Sequence, residues 1–540
     1  MNAVDLGVAV ALVGWAPFWF THLRRQLHIL QLEEYDARRF LRWWRREGRQ
    51  SIGTPTRLAM VALLALALLP AVGVPDLIGA GAAAGWGALF ALRFVRRPRT
   101  AEKKPLVWTA RAKRLVGLAT ALAAILLAVL VNPLAIPTSS RAAAAIVGMG
   151  LLSLLAGPFL ALANLLAQPL EATIRRFYLW QARRKLRAVA PYVIGVTGSY
   201  GKTSTKEIVA ALLSAKDETL KPPGSYNTLM GLCLTINRWL EPRHRYFVAE
   251  MGAYGRGDIK ALCDLVEPSV GVLTAIGPEH LERFGSLEAI ERAKYELIEA
   301  LPADGIAFFN VDDERVRRLA DTTRHVRVVR YGLLPDGRPD VTAENLRTSP
   351  RGIELEVVRG AERFHLRCGL LGRHNALNLL AGVAVARELG VTPEAIVRAA
   401  AGITAPEHRL QLIPTVGGPT IIDDAYNANP VGVQAALDVL AEMPGGQKIL
   451  VTPGMVELGP VEEEENRRFG SAAAAVCDLV ILVGPKRTAP IQAGLRAAGF
   501  PEERIRVVRA LSEVPSLLRQ HAGPNDVVLF CNDLPDQYNE

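Results

Sequence analysis

Two hydrophobic patterns divide the chain near residue 170. Before that point lie five long apolar stretches, residues 6–20, 58–74, 77–92, 115–131 and 142–166. A helix needs ~17–25 apolar residues to cross a bilayer, and several stretches approach that length. The pattern predicts an α-helical transmembrane domain of about five spans over residues 1–170. The second and third stretches are separated by little more than Pro75-Asp76, which predicts a tight hairpin of spans or one re-entrant segment. From residue 192 the pattern changes. Short apolar runs at 192–196, 246–250, 270–275, 306–310, 420–424, 449–452, 479–483 and 527–530 alternate with helical stretches. Such alternation predicts an α/β fold with largely parallel sheets, whose ligands bind at the carboxyl ends of strands.

Charge adds sidedness. A net charge of +10 raises nucleic acid as a partner, but the arginines argue against it. They cluster between apolar runs, at 24–57, 93–114 and 175–187, while the alternate connections carry almost none beyond Arg141. By the positive-inside rule the amino terminus lies outside and everything after residue 170 is cytoplasmic. Five spans satisfy that parity and predict a multi-pass membrane protein with cytoplasmic domains after residue 170. The first stretch lacks a basic start, so it is not read as a cleavable signal. Residues 27–44 and 172–189 mix arginines with aromatic side chains, as helices at an anionic bilayer surface do. The second, a basic linker helix over 171–190, reads equally as a helix packed on the domain that follows. Cys233, Cys263, Cys368, Cys477 and Cys531 are scattered among apolar neighbours, which fits buried thiols in a reducing compartment.

The chemistry begins at Ile194-Gly195-Val196-Thr197-Gly198-Ser199-Tyr200-Gly201-Lys202-Thr203-Ser204. An apolar run, a glycine-punctuated turn and a helical stretch at 205–213 supply the strand–loop–helix setting of a phosphate-binding loop. Glycines let N–H groups point at phosphate oxygens, and the helix adds its positive end. Lys202 would reach the β- and γ-phosphates and Thr203 would face Mg²⁺. The usual spacing puts a glycine where Val196 stands; Gly195 and Gly198 carry the pattern instead. Glu250 closes the run 246–250, where a carboxylate can hold Mg²⁺ beside the loop. His280, in Gly277-Pro278-Glu279-His280, reads alone as a surface or capping histidine, and Lys294 as a solvated helix lysine.

Together and in order, these pieces resemble the Mur ligase family of ATP-dependent amide-bond-forming enzymes of peptidoglycan synthesis. The resemblance runs from about Val193 to Val483. It includes Glu250-Met251-Gly252, Ala293-Lys294-Tyr295-Glu296, Asn310-Val311-Asp312-Asp313, Gly372-Arg373-His374-Asn375-Ala376-Leu377-Asn378 and His408-Arg409-Leu410-Gln411. Asp423-Asp424-Ala425-Tyr426-Asn427-Ala428-Asn429-Pro430 is nearest the D-alanyl-D-alanine-adding branch. The family's organisation implies a central P-loop domain with a parallel sheet over 191–403 and a Rossmann-like C-terminal domain over 404–540.

The resemblance also implies roles. Gly198, Ser199, Gly201, Lys202, Thr203 and Ser204 would bind ATP, with Glu250 on the first Mg²⁺ and His280 supporting a second. Lys294 would be carbamylated, which turns a cation that repels Mg²⁺ into an anionic oxygen ligand. Asn310, Asn375 and Asn378 match positions around the base. Arg409, Asp424, Tyr426 and Asn427 match C-terminal residues that close onto phosphates and nucleoside. Ser225, Tyr226, Asn227 and Thr228 form the substrate segment. The implied reaction is attack of a substrate carboxylate on the γ-phosphate, giving an acyl phosphate and ADP. An amine then displaces phosphate to form the amide. Lys202, His280, Lys294 and Arg409 would be the catalytic set.

Four departures bear on the substrate. The family's soluble UDP-binding domain has no counterpart among residues 1–170. Asn227-Thr228 stands where paired asparagines are common, and Pro453-Gly454 where Gly-Asp usually precedes the methionine. The end, residues 530–538, lacks the frequent Lys-Gly-Ser-Arg stretch. The expected activity is therefore addition of an amino acid or dipeptide to a cell-wall precursor at the membrane, with a polyprenyl-linked acceptor. The alternatives are the ordinary addition to UDP-linked muramoyl tripeptide by an anchored enzyme, a poly-γ-glutamate synthase-like ligase, and an ATP-driven transporter component. The last leaves the order of motifs unexplained, and the apolar stretches hold almost no charge to line a polar path.

Overall fold

The computed structural model describes residues 2–46, 54–72, 75–95, 106–132, 134, 136–426 and 428–533. Asn427, several basic positions (Arg49, Arg96, Arg97, Arg99, Lys103 and Lys104) and the terminal segment from Leu534 lie outside them. The chain forms two compact units, one ending at Ile174 and the other beginning at Arg175.

The first unit is all-helical: α1 (Ala3–Leu32), α2 (Ala37–Arg46), α3 (Thr54–Leu68), α4 (Asp76–Val95), α5 (Ala110–Leu130), α6 (Thr138–Leu154) and the first part of α7 (Ala156–Val189). Helices α1 and α4 meet backbone to backbone. A Cβ on Gly7 would lie 2.6 Å from the Ala80 carbonyl oxygen, and one on Gly14 would overlap the Gly87 carbonyl. Small residues at a crossing are how helices associate in lipid, where van der Waals contact replaces the hydrophobic effect. Charged side chains are paired, with Arg141 on Asp5 at 3.1 Å near the starts of α6 and α1, and a two-pronged Arg114–Glu171 pair at 2.8 and 2.9 Å.

The expectation of five spans is corrected here. Among the described residues α1, α4 and α5 are each long and apolar enough to cross a membrane. Helices α6 and α7 pass that test only as a pair, bent by 76°, giving up to four spans. Proline explains both shortfalls, because it cannot donate to the carbonyl four residues back. The 58–74 stretch leaves the α-helix after Leu68, in a tight 3₁₀ turn through Pro70. The 142–166 stretch breaks at Leu155, ahead of Gly157-Pro158. The five-span parity behind an outside amino terminus is not reproduced.

The second unit is built on two parallel sheets. Its first elements in chain order are β1 (Tyr192–Thr197), α8 (Lys202–Leu213), β2 (Thr219–Leu220), α9 (Leu229–Trp239), β3 (Tyr246–Glu250), α10 (Asp258–Val266), β4 (Val270–Leu273), α11 (Leu281–Phe284), α12 (Leu287–Glu299), β5 (Ile306–Asn310), α13 (Glu314–Thr322) and β6 (Arg327–Tyr331). They form an all-parallel sheet in the order β2-β3-β1-β4-β5-β6, with β1 at the point where the strand order reverses. In a doubly wound sheet that switch point is where a crevice opens at the carboxyl ends. Strands β7 (Thr342–Ser349), β8 (Gly352–Arg359) and β9 (Glu362–Cys368) add an antiparallel sheet, followed by α14 (Arg373–Glu388). That sheet has no counterpart among the expected apolar runs, because its strands alternate buried and solvent-facing positions and are rich in charge. A second six-stranded sheet comprises β10 (Gln411–Ile413), β11 (Thr420–Asp424), β12 (Lys448–Thr452), β13 (Leu479–Val483), β14 (Ile505–Val508) and β15 (Val527–Cys531), in the order β10-β11-β15-β12-β13-β14. Only β10 runs antiparallel. All five cysteines are buried and unpaired.

Candidate active site

Strand β1 ends at Thr197 between β3 and β4, and the chain turns through Gly198–Gly201 into α8. Val196, where the usual glycine is missing, is still in the strand and pairs with Glu250, so the turn needs no glycine there. Gly198 and Gly201 have φ of +149° and +79°. A Cβ on Gly198 would overlap Thr274 Oγ1, and one on Gly201 would lie 2.5 Å from Asn378 Oδ1. The segment after β4 holds the turn in place. Ser199 N donates to Ala275 O at 2.7 Å, Ser199 Oγ donates to Gly277 O at 3.0 Å, and Gly277 N donates back to Ser199 Oγ at 3.0 Å. Replacing Gly201 with alanine is expected to cost about 1–2 kcal/mol in left-handed backbone strain. The checks are a lower Tm and a weaker shift of Tm by added nucleotide.

The third residue of this turn-to-helix junction reaches the next strand. Thr203 Oγ1 donates to Glu250 Oε1 at 3.2 Å, and Asn227 Nδ2 donates to the same oxygen at 2.9 Å. Glu250 Oε2 is buried without a hydrogen bond and lies 3.5 Å from Lys206 Nζ. Lys206, one turn beyond Lys202 on α8, is wholly buried and donates to Gly224 O at 2.6 Å and Pro222 O at 3.3 Å. Its charge thus joins the carboxylate of β3 to the loop preceding Ser225. Thr228 caps α9 by accepting from Gly231 N at 3.3 Å, while Tyr226 remains exposed against the ring of Trp239.

A second carboxylate lies on the other side of the loop. Lys202 Nζ donates to Ser199 O and to both oxygens of Glu279, each at 2.9 Å. Lys294, buried on α12, places Nζ 3.5 Å from Glu279 Oε2. Burial pushes the Lys294 ammonium down to about 8, with help from the Lys202 charge and opposition from Glu279. Burial also works against the Glu279 carboxylate, but Lys202, Lys294 and His280 outweigh it and hold its pKa below the ordinary value. Two lysines thus share one carboxylate, and one of them is poised to lose its proton.

The remaining expected residues lie in separate places around the loop and the second sheet. Asn310 Nδ2 donates to Thr274 O at 2.8 Å; Asn378 Nδ2 donates to Asn375 Oδ1 at 2.8 Å and its Oδ1 accepts from Thr205 Oγ1 at 3.2 Å. These three buried asparagines brace the loop from behind. His280, in the left-handed region at φ +52°, directs Nδ1 to Glu457, which also pairs with Arg283 at 3.7 Å. Among the described residues no hydrogen bond joins His280 to Thr203 or Glu250, and no cluster of three His, Cys, Asp or Glu side chains forms a metal site. Arg409 stacks 4.2 Å over the Tyr426 ring at the end of the second sheet. Burial raises Asp424 to about 7, against the pull of Arg409 and the Leu410 N–H that it accepts at 3.2 Å. Ser204 is half-buried on α8. Lys206, Glu279 and Glu457 were not expected site residues. Their position offered a signal: Lys206 is four residues beyond Lys202 and Glu279 adjoins His280.

These groups suit a magnesium–nucleotide. Thr203 and Glu250 are the hard oxygen donors that Mg²⁺ prefers, one Glu250 oxygen makes no hydrogen bond, and the loop leads directly into the N-terminus of α8, the end that favours anions.

A glycine turn at the switch point of a parallel sheet places this chain among the nucleotide-phosphate-binding α/β proteins, and sequence similarity shows that it belongs to the Mur ligase family of ligases. The Mur ligase middle domain matches residues 196–386, and the Mur ligase glutamate ligase domain matches residues 408–532. The chain is 34% identical over 332 residues to the UDP-N-acetylmuramoyl-tripeptide–D-alanyl-D-alanine ligase of Escherichia coli K12, covering 60% of this chain and 73% of that protein. The Mycobacterium leprae enzyme of the same name is 34% identical over 368 residues, covering 63% and 70%. Among solved structures, Thermotoga maritima MurF in complex with ADP superposes with a TM-score of 0.60 at 29% identity, covering 67% of this chain and 81% of that one. Acinetobacter baumannii MurF gives 0.60 at 27%, covering 67% and 78%. The chain is MurF-like, an ATP-dependent peptide ligase of peptidoglycan precursor synthesis.

Proposed function

We propose that the chain joins a D-alanyl-D-alanine-type dipeptide to the peptide carboxylate of a cell-wall precursor held at the cytoplasmic face of the bacterial membrane, and that this acceptor is lipid-linked. The convergence of Thr203 and Asn227 on Glu250 carries the reading: it ties the nucleotide loop to the substrate segment through one carboxylate. The helical first unit, with its small-residue crossing, supports work at a bilayer. Bound Mg²⁺ would supply positive charge against the triphosphate, with Thr203 and Glu250 as its ligands. Loop N–H groups and Lys202 would hold the phosphates and offset charge on the transferring phosphoryl group. Asn227 and its neighbours would set the carboxylate in line. Arg409 and Asp424 would close over the nucleotide, and His280 would hold the C-terminal domain through Glu457. Lys294 is proposed to act as a carbamate, and its lowered pKa favours the neutral amine that CO₂ requires.

A second reading keeps the soluble substrate that the relatives' names specify, UDP-N-acetylmuramoyl-tripeptide, with the helices as an anchor. Purified full-length protein should release ADP with D-alanyl-D-alanine and lipid-linked muramoyl tripeptide, and the product mass should rise by one dipeptide. Equal kcat/KM with the UDP-linked tripeptide would overturn the lipid-linked assignment and leave the ligase intact.

A further inference from the structure

The second unit carries an exposed aromatic strip that no step of the ligase reaction uses. On the part of α7 beyond Arg175, Phe177 is 57% exposed, Tyr178 45% and Trp180 56%. The same helix turns Ala182 and Leu186 into the core of the second unit, so only one face is consumed by packing. The exposed rings touch one another: Phe177 lies 5.8 Å from Tyr178 and 6.1 Å from Trp180, and the Arg184 guanidinium lies 5.7 Å over Trp180. The strip continues onto α9. Asn237 Nδ2 donates to Tyr178 O at 3.1 Å, and Lys185 Nζ donates to Asn237 O at 2.9 Å. One face of α9 then presents Asn237, Leu234 and Met230 at helical spacing, the latter two exposed. The exposed Tyr226 of the substrate segment instead packs on Trp239 at the C-terminal end of α9, on a different face from Met230 and Leu234, and Arg238 sits 5.2 Å over the Trp239 ring. An apolar and aromatic strip flanked by arginines therefore runs from α7 along one face of α9 to its N-terminal turn, whose Gly231 adjoins the backbone of Tyr226.

We infer that this strip docks the catalytic unit on the surface of an anionic lipid bilayer. Charge complementarity selects the occupant. Arg175, Arg176, Arg183, Arg184 and Arg238 share the two helices with the exposed rings, and rings beside arginines are what an anionic headgroup layer binds. Phe177 also follows the apolar stretch ending near Leu170 by about two helical turns. Docking would lay Tyr226 and Asn227 near the headgroups, where an acceptor on a lipid anchor presents its peptide. The inference rests on the proposed membrane location.

The five native cysteines are buried, so an introduced surface cysteine can be spin-labelled selectively. Full-length W180C, L234C, V416C and I125C would be labelled and reconstituted in vesicles rich in phosphatidylglycerol or made of phosphatidylcholine alone. Oxygen and nickel-chelate accessibilities then report depth. Labels at 180 and 234 should show raised oxygen and lowered chelate access in anionic vesicles, and lose this with R176E/R184E, while the label at the exposed Val416 stays aqueous. Aqueous values at 180 and 234 alongside a lipid value at 125 would overturn the docking surface and spare the span. Aqueous values at all four would overturn the membrane reading and the docking with it. Low access to both probes at 180 and 234 would mean a protein partner and would overturn the lipid assignment.

Discussion

Lys202→Met is expected to lower ATP turnover by roughly 10³-fold, a loss in the range set by removing a charged group from a transferring phosphoryl. The lysine stands at the start of α8, held by Ser199 O and Glu279. No other described cation occupies that position on the loop; Lys206 is committed to Gly224 and Glu250 behind it. The effect should not be confined to one step. The Lys202 charge is one cause of the low Lys294 pKa, so its removal should move the Lys294 ammonium back up and leave Lys294 as the lysine paired with Glu279. The double variant Lys202→Met/Lys294→Ala should therefore lose less than the product of the single losses. ADP release and its pH profile check this; turnover within tenfold of wild type would remove Lys202 from the phosphate site.

Lys294→Ala is expected to reduce turnover about 10²-fold or more, with partial rescue by short carboxylic acids that supply the missing anionic oxygens. With a pKa of about 8, roughly one Lys294 in ten is neutral at pH 7, against about one in three thousand at the ordinary 10.5. Burial on α12, with the Lys202 charge, thus raises the share of neutral amine by roughly two orders of magnitude. Stability should carry the same signature. The folded chain releases this proton near pH 8 and the unfolded chain near 10.5, so between those values the unfolded state binds more protons. The unmodified lysine destabilises the fold below pH 8, and that cost disappears as pH rises towards 10.5. The difference in Tm between wild type and Lys294→Met, measured under CO₂-free conditions, should change across this window. A flat difference, with no rescue and no bicarbonate dependence, would remove the carbamate.

The parallel sheets and the loop were legible because buried parallel strands are continuous apolar runs and because Gly-Lys-Thr at a strand end needs little context. Tyr246–Glu250 and Leu479–Val483 coincide with the expected runs. The antiparallel β7–β9 sheet was hidden by its charged faces, and the count of spans by prolines whose effect depends on which carbonyl they face. At the site, a motif names a residue but not its partner. His280 was readable as a family residue, whereas its grip on Glu457 joins positions far apart in sequence. For Lys206 the spacing from Lys202 marks a shared helix face, but its burial depends on the loop at Pro222–Gly224 that covers it, which no local pattern shows.

The contact between α1 and α4 constrains how the chain can vary. Any base change that alters a glycine's identity adds a Cβ, and at Gly7, Gly14 and Gly87 that atom has only backbone to meet. At Gly81 and Gly117 it would meet nothing within 4 Å. In a population of such genes, positions 81 and 117 should drift freely, while 7, 14 and 87 stay fixed. A record of inheritance would then trace the helix crossing without any structure being solved.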